Sequence, residues 1–332
     1  MRLAINGMGR IGRLLFRRLI NHETIKVVAV NDVMDTANLA YLLKYDSVYG
    51  AWPGAPVLED NELVTDGKQV MAFSEQDPLK LPWKQLDVDV VLECTGRFTA
   101  RSAALAHIEA GARRVLLSTT GSADTPLLIY GFNQHALAKN ELVISPGGCM
   151  TNCSTHILYI LNAIGIESAH INVLHSYTSR QELVDAPHRH LRRGRAAAES
   201  IIPVEIDLVQ SLERLLPALQ GKMATVSTRV PVANGALADF TVVLKQETSV
   251  EEINRLFRKS AEGDYKGIIS YTEDPLVSTD IRGNTHSCII DGQLTSVVNK
   301  HVKLFAWFDN EYGFTTRMID LLQLWEKKMV AE

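Results

Sequence analysis

A chain of 332 residues is longer than one ordinary domain of about 150, so two domains are expected. Its 46% hydrophobic and 22% charged residues are those of an ordinary soluble globular protein with enough apolar material for two cores. The net charge of −4 provides no pull toward nucleic acid, and no apolar run approaches the roughly 18 residues needed to span a membrane.

Four cysteines at this length are too few for a disulfide framework, so the chain reads as reduced and cytoplasmic. Met1 to Ile5 enters a strand without the apolar region of a secretory leader. Arg2 to Asn6 predicts that strand, Gly7-Met8-Gly9-Arg10-Ile11-Gly12 follows, and Leu14, Leu15 and Leu19 mark a helix. Ile25 to Val30 predicts the next strand, which ends at Asn31-Asp32. A G-x-G-x-x-G between strand and helix, with Asp32 lying 20 residues after Gly12, makes the dinucleotide fingerprint. In it Gly7 makes the tight turn, Gly9 admits the pyrophosphate and Gly12 lets helix and strand pack closely. The helix N-terminus, at Arg10 and Ile11, faces the phosphates. Asp32 would accept from the adenosine ribose and repel a 2′-phosphate, which favours NAD over NADP. The bland alternative is a Gly-rich turn without a ligand.

Val48 to Pro56 reads as an extended stretch, and Leu63 to Phe73 as a hairpin around Asp66-Gly67. Strands over Val88 to Glu93 and Val115 to Ser118 flank a helix over Ala103 to Ala110, continuing an α/β alternation. Thr95, Gly96 and Ser118 end or follow these strands. They are candidate cofactor-lining residues, or ordinary strand-terminating turns.

Glu141 to Ser145 feeds the turn Pro146-Gly147-Gly148, and a helix is predicted over 150–164. Cys149 therefore sits at or beside the first helical turn. Backbone N–H groups there lower a thiol's pKa and favour the nucleophilic thiolate. The competing reading is a buried structural cysteine. Beyond it, strands are predicted over Ser168 to Tyr177, Met223 to Val230, Ala236 to Lys245 and Val302 to Phe308, with helices at 249–262 and 314–328. Long strands with few helices between them predict an α+β domain with a mostly antiparallel sheet. Residues 179–200 form a long polar loop whose arginines could bind a phosphate, form a solvated face or contact another subunit. His188-x-His190 lacks a third ligand, and no metal is expected. His175 is a core histidine or, beside a nucleophile, a base.

Together these runs resemble the phosphorylating glyceraldehyde-3-phosphate dehydrogenase family, including its erythrose-4-phosphate dehydrogenase branch. The resemblance is carried by Ala4 to Arg13, Leu43-Lys44-Tyr45-Asp46-Ser47, Glu93-Cys94-Thr95-Gly96 and Cys149-Met150-Thr151-Asn152-Cys153. It continues in Arg195-Ala196-Ala197-Ala198, Ile201-Ile202-Pro203, Arg229-Val230-Pro231 and Asp309-Asn310-Glu311-Tyr312-Gly313-Phe314. It implies a Rossmann NAD-binding domain over residues 1–148, joined by a C-terminal helix at 312–332, and a catalytic domain over 149–311. It further implies Cys149 as nucleophile, His175 as general base and Asn310 as the residue holding the nicotinamide carboxamide. Thr178, Arg195 and Arg229 match phosphate-contacting positions.

A homotetramer is likewise implied, with a phosphorylated aldose as substrate. Several positions depart from the family pattern: Pro146, Gly147, Gly148 and Met150 replace the usual Asn, Ala, Ser and Thr, so the hydroxyls flanking Cys149 are gone, and Val204 to Val209 replace a Ser-Thr-Gly stretch. Arg180 stands where an acid is usual. Ile201 to Glu205, Leu191 to Arg195 and Tyr271 to Ser278 lean toward the erythrose branch. The competing class is an NAD-binding homologue serving as a redox sensor or interaction protein.

Overall fold

The computed structural model describes residues 1–54, 56–59 and 61–330. The chain divides into two compact units, Met1–Gly148 with the chain from Arg317 onward, and Cys149–Thr316.

The first unit opens with β1 (Arg2–Asn6), α1 (Arg10–Leu19), β2 (Lys26–Asn31) and α2 (Thr36–Lys44). Three strands follow, β3 (Val57–Glu59), β4 (Glu62–Thr65) and β5 (Lys68–Phe73). The rest is β6 (Val90–Glu93), α3 (Arg101–Ala104), α4 (Ala106–Glu109), β7 (Arg114–Leu117) and β8 (Val143–Ile144). One sheet forms in the order β3-β4-β5-β2-β1-β6-β7-β8, parallel from β5 to β8. The edge strands β3, β4 and β5 pair antiparallel, and the β4–β5 turn is Asp66-Gly67 with φ of 49° and 72°. Positive φ at both turn residues matches the right-handed strand twist, and Gly and Asp tolerate it.

The parallel strands are buried on both faces, so β6 and β7 read as apolar runs. Strand order reverses beside β1, which leaves a crevice outside the carboxyl ends of β1 and β6. The expected single helix over Ala103 to Ala110 is two short ones. At Leu105 the backbone tightens to ψ −18° and the N–H bonds Ala103 O as well as Arg101 O, which breaks the α-helical ladder. Helix α2 was not anticipated, although Asp35 caps it by accepting from Ala37 N.

The second unit contains α5 (Cys149–Asn162), β9 (Ile166–Ser176), β10 (Ile202–Val204), α6 (Leu208–Leu215), β11 (Met223–Val230) and β12 (Ala236–Leu244). Next come α7 (Val250–Glu262), β13 (Ile269–Thr272), β14 (Cys288–Asp291), β15 (Ser296–Val298), β16 (His301–Phe308) and α8 (Tyr312–Val330). Helix α7 starts at a full capping box, Ser249 with Glu252. The sheet runs β10-β11-β9-β12-β16-β14-β13, with β15 on β16. It is mostly antiparallel, the exceptions being the parallel pairs β9–β11 and β13–β14.

From Arg317 onward α8 packs in the first unit. Glu326 takes the N-terminal ammonium at 3.2 Å and the Thr24 hydroxyl at 2.7 Å, and Trp325 is fully buried. Among the described residues no helix is long and apolar enough to cross a membrane.

Candidate active site

Gly147, with φ of 73°, turns the chain so that Cys149 becomes the first residue of α5. Its Sγ lies 3.7 Å from His175 Nε2. His175, only 4% exposed, is the penultimate residue of β9, and its Nδ1 lies 2.8 Å from the Ser176 carbonyl oxygen. A carbonyl only accepts, so Nδ1 carries the ring proton and Nε2 turns a lone pair toward the thiol.

Arg229 of β11 stands in parallel register with His175 of β9. It is 7% exposed, and its Nη1 donates to the same Ser176 carbonyl at 3.3 Å. Its Nε has no hydrogen-bond partner among the described residues. Asn310 Oδ1 accepts from Gly235 N at 2.9 Å and from Ser176 Oγ at 3.3 Å, which orients the amide and leaves Nδ2 as the group to offer a ligand. Ser176 thus ties the imidazole, the buried guanidinium and the amide together.

The thiol's ionisation differs from the sequence expectation. Burial pushes Cys149 up to about 11, although Arg229 and the N–H groups of Met150 and Cys149 pull the other way. The helix-terminal field exists, but desolvation of the anion outweighs it. Burial, then the charge of Arg229, lowers His175 to about 3, while its bond to Ser176 opposes the shift. At neutral pH the resting pair is therefore a thiol beside a neutral imidazole. Cys153, one helical turn on, is fully buried and lies against Cys288, and burial raises its pKa as well.

The basic loop contributes unevenly. Burial chiefly lowers Arg229 to about 10, and the charges of Arg193 and Arg180 add to the shift. Arg193 is lowered by burial and by the charges of Arg180 and Arg189. Arg193 and Arg180 therefore both share the field of Arg229, and spacing alone did not single out Arg193. Arg195 is two-thirds exposed and pairs with Asp185 at 3.1 Å. Thr178 Oγ1 accepts from Arg180 N at 3.4 Å, and Thr178 N donates to Gln181 Oε1 at 3.1 Å. His188 Nδ1 accepts from His190 N at 2.9 Å, closing a turn.

In the first unit, Gly7 has φ of 93°, and a Cβ on Gly12 would lie 2.0 Å from Gly7 O. A Cβ on Gly9 would meet nothing within 4 Å, so the loop is packed behind and open in front. Helix α1 begins after Gly9 with no side-chain cap, and a helix N-terminus of this kind favours an anion. Asp32 accepts from Met8 N at 2.6 Å and from Met34 N at 2.9 Å, holding its carboxylate at the end of β2. Arg10 itself pairs with Asp46 at 2.5 Å. This cradle fits a dinucleotide pyrophosphate beside a ribose acceptor.

Thr95 gives its hydroxyl proton to Glu93, Gly96 turns with φ of 67°, and the Ser118 hydroxyl bonds Cys94. The structure gathers Cys149, His175, Arg229 and Asn310 around Ser176, and the glycine loop with Asp32 around α1.

Residues 1–101 match the family described as the glyceraldehyde 3-phosphate dehydrogenase NAD binding domain, and residues 148–310 its C-terminal domain. Glyceraldehyde-3-phosphate dehydrogenase 2 of Bacillus subtilis is 40% identical over 326 residues, covering 97% of this chain and 96% of that protein. The glyceraldehyde-3-phosphate dehydrogenase of Geobacillus stearothermophilus is 42% identical, covering 97% of each chain. That of Borreliella burgdorferi is 42% identical, covering 97% of this chain and 99% of its own.

Proposed function

The chain belongs to the glyceraldehyde-3-phosphate dehydrogenase family, and from that premise we propose that it oxidises a phosphorylated aldose aldehyde, glyceraldehyde 3-phosphate or erythrose 4-phosphate, through a thioester on Cys149. The observation that carries this reading is the 3.7 Å approach of Cys149 Sγ to the unprotonated nitrogen of His175. As sulfur adds to the aldehyde carbon, Nε2 takes the thiol proton, so neither charge has to exist alone in a buried site. The adduct is a thiohemiacetal whose oxyanion is met by the proton now on Nε2 and by the Cys149 N–H. That proton moves to the oxygen, and His175 takes it back as the carbon loses hydride. Bound NAD⁺ supplies the acceptor for the hydride. The product on Cys149 is a thioester, released by phosphate or by water.

Arg229, with Arg193 beside it, offers cationic donors to the substrate's terminal phosphate, and Thr178 and Arg195 are further candidates. Asn310 Nδ2 offers a donor to a carboxamide oxygen. In the first unit Gly7, Gly9, Gly12 and the N–H groups of Arg10 and Ile11 would hold the pyrophosphate, Asp32 the ribose, and Thr95, Gly96 and Ser118 the neighbouring wall. A homotetramer belongs to the same reading. It is supported by the exposed apolar side chains Leu183, Val184, Leu191 and Ile201 in the 179–201 segment, and light scattering after size exclusion reads it directly.

The test follows NADH formation with each phosphorylated aldehyde and with unphosphorylated glyceraldehyde. The expected result is turnover with at least one phosphorylated aldehyde, at a kcat/KM about a hundredfold or more above the unphosphorylated one. NAD binding with no turnover of any aldehyde would favour the silent NAD-binding homologue instead.

A further inference from the structure

A buried polar network in the first unit takes no part in the chemistry above. Glu93, the last residue of β6, is 2% exposed, and a carboxylate so placed must have its oxygens hydrogen-bonded. Its Oε2 accepts from Asn6 Nδ2 at 2.6 Å and from His107 Nε2 at 3.1 Å. Its Oε1 accepts from Thr95 N at 2.8 Å and from the Thr95 hydroxyl.

His107 is fully buried on α4, and its tautomer is set from behind. Trp83 Nε1, which can only donate, gives its hydrogen to His107 Nδ1 at 3.0 Å, so the ring proton sits on Nε2 and points at Glu93. The far end of the network reaches the glycine loop. A Cβ on Gly7 would lie 2.5 Å from Thr95 N and 2.8 Å from Thr95 Cα, so the tight turn rests directly on the backbone that Glu93 holds. Asn6, the residue before Gly7, is held by Glu93 too, and its Oδ1 accepts from Asn31 Nδ2 at 2.7 Å.

We propose that Trp83 and His107 are positioning residues for NAD: acting through Glu93, they fix Asn6 and the Thr95 backbone on two sides of Gly7 and so set the shape of the dinucleotide loop. Both side chains are fully buried behind the loop. The alternation of roles along the chain is strict. Trp83 donates, His107 accepts and donates, and Glu93 accepts, so removing one link leaves a buried donor or acceptor without a partner. The proposal rests on the Gly7–Gly12 loop being the NAD site.

The test is calorimetric titration of NAD into cofactor-stripped parent protein and into the H107L, H107Q and W83F variants, with steady-state kinetics alongside. Leucine removes both ring nitrogens, whereas glutamine keeps one acceptor toward Trp83 and one donor toward Glu93. The expected result is NAD affinity about tenfold weaker in H107L, largely restored in H107Q, and several-fold weaker in W83F. KM for NAD rises correspondingly, while kcat at saturating NAD and the KM for aldehyde stay at parent values. A parent protein that fails to bind NAD overturns the loop assignment, and this proposal with it. A parent that binds, with H107L binding equally well, overturns the positioning role alone. H107Q as weak as H107L also overturns it, by assigning the effect to packing. Should H107L fail to fold, W83F decides, and parent-like NAD affinity in W83F overturns the proposal.

Discussion

His175 presents an unprotonated Nε2 to the Cys149 thiol because its Nδ1 is tied to the carbonyl of its own neighbour, Ser176. The same carbonyl accepts from Arg229, so one backbone oxygen fixes both the imidazole and the buried guanidinium. Burial raises the thiol to about 11, so at neutral pH it rests in its neutral form.

Alkylation should read that state. Limiting iodoacetamide is expected to label half-buried Cys149 before fully buried Cys153, with activity lost in proportion. The rate should keep climbing past about pH 9 instead of levelling near the ordinary thiol pKa of about 8.5. R229M removes a charge that favours the thiolate and should slow labelling at neutral pH. Mass spectrometry that finds Cys153 modified first would refute the assignment.

Acid stability follows from His175. The unfolded histidine binds a proton near its ordinary 6.5, but the folded one binds it only near 3. Between those values the unfolded state holds more protons, so stability is present above the upper value and is lost as pH falls. The slope from this group approaches about 1.4 kcal/mol per pH unit. Urea unfolding across this range should show H175Q with a shallower acid limb than the parent. Parallel limbs would mean that His175 is not the group responsible.

Asp32 anchors Met8 N and Met34 N, and in the proposed reading it also accepts from the ribose. D32A should therefore weaken NAD by about tenfold or more and raise NADP use relative to NAD. D32N, which keeps an acceptor without the charge, should gain NADP use while losing less of its NAD binding. Equal use of both cofactors by the parent protein would contradict the role of Asp32.

Release of the thioester is the remaining choice. Gly148 and Met150 place no side-chain hydroxyl on either side of Cys149, and each lost bond to a phosphate is worth about 1.5–3 kcal/mol. Two such losses weaken phosphate by roughly a hundredfold or more, so water should compete and the free acid should form. NADH formation with and without millimolar phosphate measures this, and a near-absolute phosphate requirement would sink the idea.

Much of the site could be read from the chain because its signals are local. The glycine fingerprint, Asp32 at the end of the second strand and the Pro-Gly-Gly turn before Cys149 are short motifs at set spacings, visible before their partners are known. Burial is not local. The rise in the Cys149 pKa comes from packing that no motif encodes, and it outweighs the helix-terminal effect that the motif does encode. Arg193 and Arg195 look alike in a loop without periodicity, and only the fold sends one toward Arg229 and the other toward Asp185. The Trp83–His107–Glu93 chain joins α4 to β6 through contacts of 24 and 14 residues' separation, where spacing carries no signal.

The in-register pairing of Arg229 with His175 has a consequence for how this chain can vary in length. Neighbouring parallel strands present paired residues on the same face, and a one-residue slip sends a side chain to the other. A single insertion or deletion between Ile166 and His175 would therefore turn the imidazole away from Cys149 while leaving both side chains present. The segment from 179 to 200 lies outside the strands and carries no such parity, so a one-residue change in its length inverts no strand face. Among natural or engineered variants, indels should accumulate there and be absent from β9.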